Sequence, residues 1–116
     1  MAADSYDLAI DSGADWFWSI RWRVGKSEKT STPKDVTGYT AVLVVFRDYG
    51  DPPLLQLTTS NGGVDVIGTE GTFTFHANAT QTTALPVGRK LRYEVKVTSP
   101  QQVVRKLARG YMTVAP

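Results

Sequence analysis

The residues able to do chemistry in this sequence are few and scattered. Histidine occurs once, at His76, and cysteine not at all. That composition removes thiolate nucleophiles, disulfides, Fe–S clusters and cysteine-based zinc sites together. A Ser-His-Asp arrangement would need His76 beside a nucleophile and an acid, and nothing around it resembles a nucleophile elbow. The acids Asp48, Asp51 and Glu94 stand singly. A hard-cation loop would place acids at alternate positions with a closing glutamate, and no segment does so. A carboxylate pair for glycoside hydrolysis would have to be assembled from distant strands. Gly62-Gly63 and Gly68-Thr69-Glu70-Gly71 are glycine-rich, but neither joins a strand to a helix, so neither cradles a phosphate. Asn78-Ala79-Thr80 fits the N-glycosylation pattern, a match expected to be accidental because the first residues do not read as a secretory leader. The expectation is a protein without catalytic turnover, cofactor, metal or small-molecule substrate.

Two groups of residues suggest binding instead. Trp16, Trp18 and Trp22 alternate with Phe17, Arg21 and Arg23. Exposed, the tryptophans would form a stacking platform for a sugar or single-stranded nucleic acid. Ile20 and Val24 share their face, however, which makes that face core and turns Phe17 outward as a contact for a protein partner. Charge is the second group. Asp4, Asp7, Asp11 and Asp15 occupy a stretch with no basic residue, whereas Arg89, Lys90, Arg92, Lys96, Arg105, Lys106 and Arg109 crowd the last third against Glu94. This is either a basic face for an acidic partner or polyanion, or simply two solvated strand faces. The net charge of +2 is too small to imply nucleic acid by itself.

The elements that must carry these residues are strands. With 116 residues, one domain with one core is expected over 1–116. No apolar run approaches the roughly 20 residues that cross a bilayer, and the first residues lack a leader's basic-then-apolar order. A cytosol-like compartment follows, with no membrane partner. Period-2 alternation marks strands at Tyr6, Leu8 and Ile10, and then along Trp16 to Val24. The polar run from Gly25 reads as a solvent loop. Tyr39 to Arg47 is nearly all apolar and reads as a central strand buried on both faces. Pro52-Pro53 end it. Leu54 to Thr58 and Val64 to Ile67 flank Asn61-Gly62, whose residue types suit a hairpin turn. Thr72 to His76 points Phe73 and Phe75 inward and His76 outward. One helical turn is expected from Asn78, with Gln81 completing a capping box and Pro86 and Gly88 ending it. Leu91, Tyr93, Val95 and Val97 form the inner face of a long strand whose outer face is Arg92, Glu94 and Lys96. A last strand runs from Val103 to Val114, with Gly110 marking a bulge. Seven to eight strands and one short helical turn make an all-β, antiparallel, immunoglobulin-like β-sandwich.

With the strands placed, a family pattern emerges. Gly13 to Trp22 (GADWFWSIRW), Asp35 to Ala41 (DVTGYTA) leading to Phe46-Arg47, Gly71 to Phe75 (GTFTF), Thr83 to Gly88 (TALPVG) and Tyr93 to Val95 (YEV) resemble short virion proteins of tailed phages and prophages. These are tail-associated proteins, similar to the N-terminal β-sandwich of baseplate upper proteins that hold receptor-binding proteins on the tail. Each shared residue has a folding role: Gly13 and Gly38 in turns, Trp22 and Tyr39 in the core, Leu85 and Gly88 around the helical turn. The resemblance therefore implies fold and setting and transfers no site. Baseplate upper proteins continue into helical or fibre-binding regions whereas this sequence stops at Pro116, so a stand-alone piece is expected.

What the resemblance implies is a structural virion component, assembled in the host cytoplasm. It would be an adaptor in the tail, baseplate or fibre-attachment region, contacting other virion proteins and copies of itself. A capsid decoration protein and a carbohydrate-binding module are the alternatives. Partner contacts are expected from the arm Met1 to Asp7, the loop Gly25 to Lys34 and the connection Asp48 to Pro53. The residues singled out are Tyr6, Asp7, Phe17, Lys26, Lys29, Tyr49, Arg92 and Lys96.

Overall fold

The computed structural model describes residues 4–24, 32–48, 50–88 and 90–116. Their strands are β1 (Asp4–Ser5), β2 (Leu8–Asp11), β3 (Trp16–Arg21), β4 (Arg23–Val24), β5 (Thr32–Pro33), β6 (Thr40–Phe46), β7 (Leu55–Thr58), β8 (Val64–Ile67), β9 (Thr72–Ala77), β10 (Lys90–Thr98) and β11 (Val104–Ala115). A 3₁₀ turn covers Gly68–Glu70, and the short helix α1 covers Ala79–Thr83. The architecture is a sandwich of mainly antiparallel sheets, in which only β1 and β2 run parallel to their partner β11 among the described strands. Sheet A has the order β1-β11-β10-β6-β7, with β2 also on β11; sheet B is β3-β9-β8; β4 and β5 form a small separate ribbon. This connectivity is immunoglobulin-like. Read in chain order, β3-β9-β8 takes the places of strands B, E and D, and β11-β10-β6-β7 those of G, F, C and C′.

The alternation predicts the core correctly. Leu91, Tyr93, Val95 and Val97 are buried from β10, Phe73 and Phe75 from β9, and Leu43 and Val45 from β6. Ile20 and Trp22 close the layer from the β3 side. The immunoglobulin family often ties strands B and F with a disulfide. Here an aromatic contact does that work: Trp18 in β3 meets the fully buried Tyr93 in β10 edge-on, with ring centroids 5.8 Å apart. Phe75 stacks on the same indole at 5.6 Å. Such pairs contribute about 0.5–1.5 kcal/mol each beyond the area they bury.

Burying Tyr93 brings its hydroxyl inside, where an unpaired donor would cost about 1–3 kcal/mol. The hydroxyl donates to the Tyr6 carbonyl at 2.7 Å. The Tyr6 N–H donates to the Arg109 carbonyl at 3.1 Å, continuing the parallel pairing of β1 with Ala108 and Arg109. Opposite Tyr93 in the ladder stands Gly110. A Cβ at Gly110 would fall on the Tyr6 carbonyl oxygen, so glycine is required for close backbone approach. The bulge expected at Gly110 lies elsewhere. The register shifts between Val95 and Lys96, whose partners are Ala108 and Lys106, leaving Leu107 as the extra residue.

Other expectations are corrected as well. Asn61-Gly62 does not close a hairpin, because β7 belongs to sheet A and β8 to sheet B. The Asn61 side chain holds the turn by accepting from Thr58 N and Gly63 N at 2.9 Å and donating to the Gln56 carbonyl at 3.1 Å. Gly62 supplies the positive φ of 83°; the turn chemistry is right, and the pairing partner is not local. β6 buries Ala41, Leu43 and Val45, but Val42 and Val44 on its other face are half-buried. The Trp16 to Val24 strand breaks at Trp22, whose N–H donates to Gly71 O and whose carbonyl accepts from Lys34 N. Val24 is thereby released to solvent.

The segments that carried the family pattern hold joints. Asp35 accepts from Thr37 Oγ1 at 2.6 Å and Thr37 N at 2.9 Å, and these two bonds hold its carboxyl below the usual range. The small stability this adds is present above the unfolded-state pKa and lost as pH falls through the lowered one. Val36 between them is buried. The capping box is present: Asn78 Oδ1 accepts from Gln81 N and Gln81 Oε1 from Asn78 N, both at 2.8 Å. Thr82 in α1 accepts from Gly13 N and donates to the Ala14 carbonyl, tying the helix to the β2–β3 turn.

Two substitutions test the Tyr6 joint. Tyr93→Phe removes the hydrogen bond from the Tyr93 hydroxyl to the Tyr6 carbonyl and should cost about 1 kcal/mol. Gly110→Ala overpacks the same point and should cost about 1–3 kcal/mol. Because both act through one peptide group, urea unfolding of the double variant should show a loss smaller than the sum. Strict additivity would mean that the two residues act on separate joints.

Candidate functional site

The outer face of sheet A gathers five of the seven basic residues of the last third; Arg105 pairs with the inward-facing Val97, and Arg89 lies outside the described residues. Alternation along β10 turns Lys90, Arg92, Glu94 and Lys96 to this face. The ladder to β11 sets Thr113 opposite Lys90, Tyr111 opposite Arg92, Arg109 opposite Glu94 and Lys106 opposite Lys96. Five cations therefore share a surface with Glu94 and the neighbouring Asp48. Glu94 is the half-buried centre, with Lys96 Nζ at 3.4 Å and Lys106 Nζ at 3.3 Å. Arg92 Nε lies 2.9 Å from Asp48 Oδ1. At one end the Tyr111 ring receives Lys90 Nζ at 4.9 Å and Arg92 Cζ at 4.8 Å from its centroid. Beside Glu94, a shallow recess of about 490 Å³ is lined by Phe46, Gly50, Glu94, Lys106 and Arg109.

Surface pairs of this kind stabilise a fold by about 0–1 kcal/mol each. The face is therefore little constrained by folding and carries an excess of positive charge around one aromatic ring. Such a surface suits an acidic protein partner: the ring supplies apolar contact and the cations supply attraction and register.

The expected contact residues do not converge on one patch. Arg92 and Lys96 belong to the basic face. Phe17 points outward from β3 and is 65% exposed, stacked on His76 across the ladder with centroids 4.4 Å apart. Tyr6 is partly engaged by its own domain, edge-on to Trp18 at 6.0 Å, and Asp7 beside it is exposed. Residues 4–6 thus lie along this chain's own β11, where the sequence suggested an arm for partner contacts. Lys26, Lys29 and Tyr49 lie outside the described residues. Reasoning from sequence grouped Lys90 and Arg109 in a possible basic face but missed Tyr111 as its aromatic member, because that juxtaposition depends on the β10–β11 register.

The chemically active residues stay apart. His76 sits on the outer side of sheet B, while Glu94 and Asp48 sit on the outer side of sheet A. The His76 ring is half-buried, and its Nε2 is enclosed with no hydrogen-bond partner. Among the described residues, no three or more His, Asp or Glu side chains group as a metal site would require. No described helix is long and apolar enough to cross a membrane.

The tryptophans face inward. Trp22 is buried, and Trp16 and Trp18 are half-buried against the core. Trp16 stacks on Trp18 at 6.2 Å.

Strand order and core together define the chain as an all-β sandwich with immunoglobulin-like connectivity. No family model matches the chain, and no curated protein matches it. Among solved structures it is similar to extracellular domains 3–5 of Drosophila OTK, at 11% identity over 93% of this chain, with a TM-score of 0.39. The chain spans 32% of that structure.

The inward placement of Trp22 has a measurable consequence. Trp22→Ala should cost roughly 3–5 kcal/mol in equilibrium unfolding, as expected for a large buried ring. A loss within about 0.5 kcal/mol, the usual surface value, would put the ring in solvent and revive the platform reading.

Proposed function

We propose that this protein is a structural component of a tailed-phage virion. In this reading it is a β-sandwich adaptor in the tail, baseplate or fibre-attachment region and works through protein–protein contacts without catalysis. The observation that carries the reading is the basic outer face of sheet A, where Tyr111 is flanked by Lys90 and Arg92 and Arg109 and Lys106 border a shallow recess. An open, charged surface with one aromatic anchor serves docking better than turnover, which needs a water-excluding cleft around converging groups. The sequence resemblance to tail-associated virion proteins supplies the setting. Inward-facing tryptophans support this reading over a carbohydrate platform.

The partner is expected to present an acidic surface. Electrostatic contact of this type is screened by salt, with a Debye length near 10 Å at about 0.1 M. The purified protein should co-sediment with tails assembled without it, and the retained fraction should fall steeply as salt rises. Neutralising Lys90, Lys96 and Arg109 to Gln should weaken retention on the order of tenfold or more, equivalent to about 1.4 kcal/mol or more, with thermal unfolding almost unchanged. Retention that is indifferent to both salt and the triple substitution would place the contact elsewhere.

A further inference from the structure

Among the described residues, the outer edge of β3 has no partner strand. Sheet B ends at β3, which pairs with β9 alone among the described residues. In the constant-type immunoglobulin sheet, strand A flanks strand B. Here the N-terminal strands β1 and β2 lie on β11 instead, so that among the described residues no strand takes that flanking place.

The hydrogen-bond phase along β3 follows from its neighbours. Trp22 N donates to Gly71 O, on the β9 side. His76, opposite Phe17, donates its N–H to Gly63 O on the far side of β9. Residues 16, 18, 20 and 22 therefore bond toward β9. Phe17, Ser19 and Arg21 turn their N–H and C=O groups outward. Their side chains share the outer face of the sheet, while Trp18 and Ile20 face inward. Beneath the edge lies a recess of about 330 Å³, with Tyr6, Trp18, Ile20, Trp22 and Leu107 in its lining.

Natural edges are usually blunted by proline, a bulge or charged side chains, lysine above all. The six residues of β3, Trp-Phe-Trp-Ser-Ile-Arg, contain no proline and no lysine, and their one charge is Arg21 at the end of the strand. We infer that β3 pairs antiparallel with β3 of a second copy, about a two-fold axis through Ser19.

The edge is complementary to itself in that register. Its three outward residues are centred on Ser19, so Ser19 meets Ser19 of the second copy as a hydrogen-bonded pair. Phe17 then lies opposite Arg21 of the second copy, and Arg21 opposite its Phe17. Two cation–π contacts form, and the two arginines are held apart. No ion pair engages Arg21 among the described residues, and Phe17 is 65% exposed, so both are available. The two three-stranded sheets become one of six strands, and the contact is isologous, as a closed dimer requires. It lies on the other sheet from the basic face and stands whether or not the virion reading holds.

Sedimentation equilibrium over a concentration series provides the test. Wild-type protein should show a concentration-dependent dimer. Ser19→Pro removes an N–H that points away from β9, a position where an edge strand tolerates proline; it should be monomeric, with its strand circular dichroism retained. Phe17→Lys places like charges opposite each other and should weaken the dimer at least tenfold. Adding Arg21→Glu restores complementary pairs and should recover most of that loss, which decides the matter even if Ser19→Pro fails to fold. A wild-type protein that is monomeric throughout, a Ser19→Pro variant that dimerises as wild type, or a charge swap without recovery would overturn the inference.

Discussion

The hydroxyl of Tyr93 and the carbonyl of Tyr6 form the contact on which the arrangement of this sandwich depends. Tyr93 is the residue of strand β10 that reaches across to sheet B, and its ring is fully buried against Trp18. A phenol in that position carries its polar atom into the interior, and the atom must find a partner. The partner comes from a peptide 87 residues away in sequence. One side chain thereby joins three parts of the molecule: the second sheet through its ring, its own sheet through its backbone, and the N-terminal segment through its oxygen. A disulfide between the same strands would fix two of these and leave the third free. Gly110 completes the joint by giving the Tyr6 peptide room that any side chain would occupy.

This joint also decides where the molecule is closed and where it is open. Drawing the N-terminal segment onto β11 satisfies the edge of sheet A. The same choice leaves β3 with outward backbone groups at Phe17, Ser19 and Arg21, over a recess that Tyr6 only partly fills. The other candidate surface has a different origin. The cations of β10 and β11 come together because Leu107 is an extra residue in the ladder, which sets Lys106 opposite Lys96 and brings it to Glu94. One surface is defined by backbone groups and the other by charge. A protein proposed to act by contact thus has two chemically different faces, on different sheets, through which copies and partners can be told apart.

Much of the fold was legible in the sequence because alternation is a local signal. Lys90 to Thr98 alternates without a fault, and its four apolar residues are all buried. Asn78 and Gln81 announced the helix cap through residue types three positions apart, and Phe17 was legible as the outward exception in an apolar strand. What escaped was long-range. Asn61-Gly62 specifies a backbone turn, yet the residues of a turn do not say whether the chain pairs with itself or crosses to the other sheet. Glycine at 110 signals that a Cβ is forbidden without naming the obstacle, which here is the main chain of Tyr6. Trp22 sits at a break in β3 because Gly71 and Lys34 claim its peptide groups, and neither is near it in sequence. The basic patch needed the β10–β11 register, and a one-residue bulge cannot be counted from alternation alone.

Amide hydrogen exchange, resolved by residue in a dilute solution of the monomer, tests the central claim most directly. If Tyr6 is docked on β11 and the edge of β3 is open, the Tyr6 amide should be protected through its bond to Arg109 O. Along β3 the pattern should alternate, with Trp18 and Ile20 slow and Phe17, Ser19 and Arg21 fast. A Tyr6 amide exchanging at the rate of an unstructured peptide, together with uniform protection from residues 17 to 21, would contradict the account. It would mean that the N-terminal segment covers β3 rather than β11.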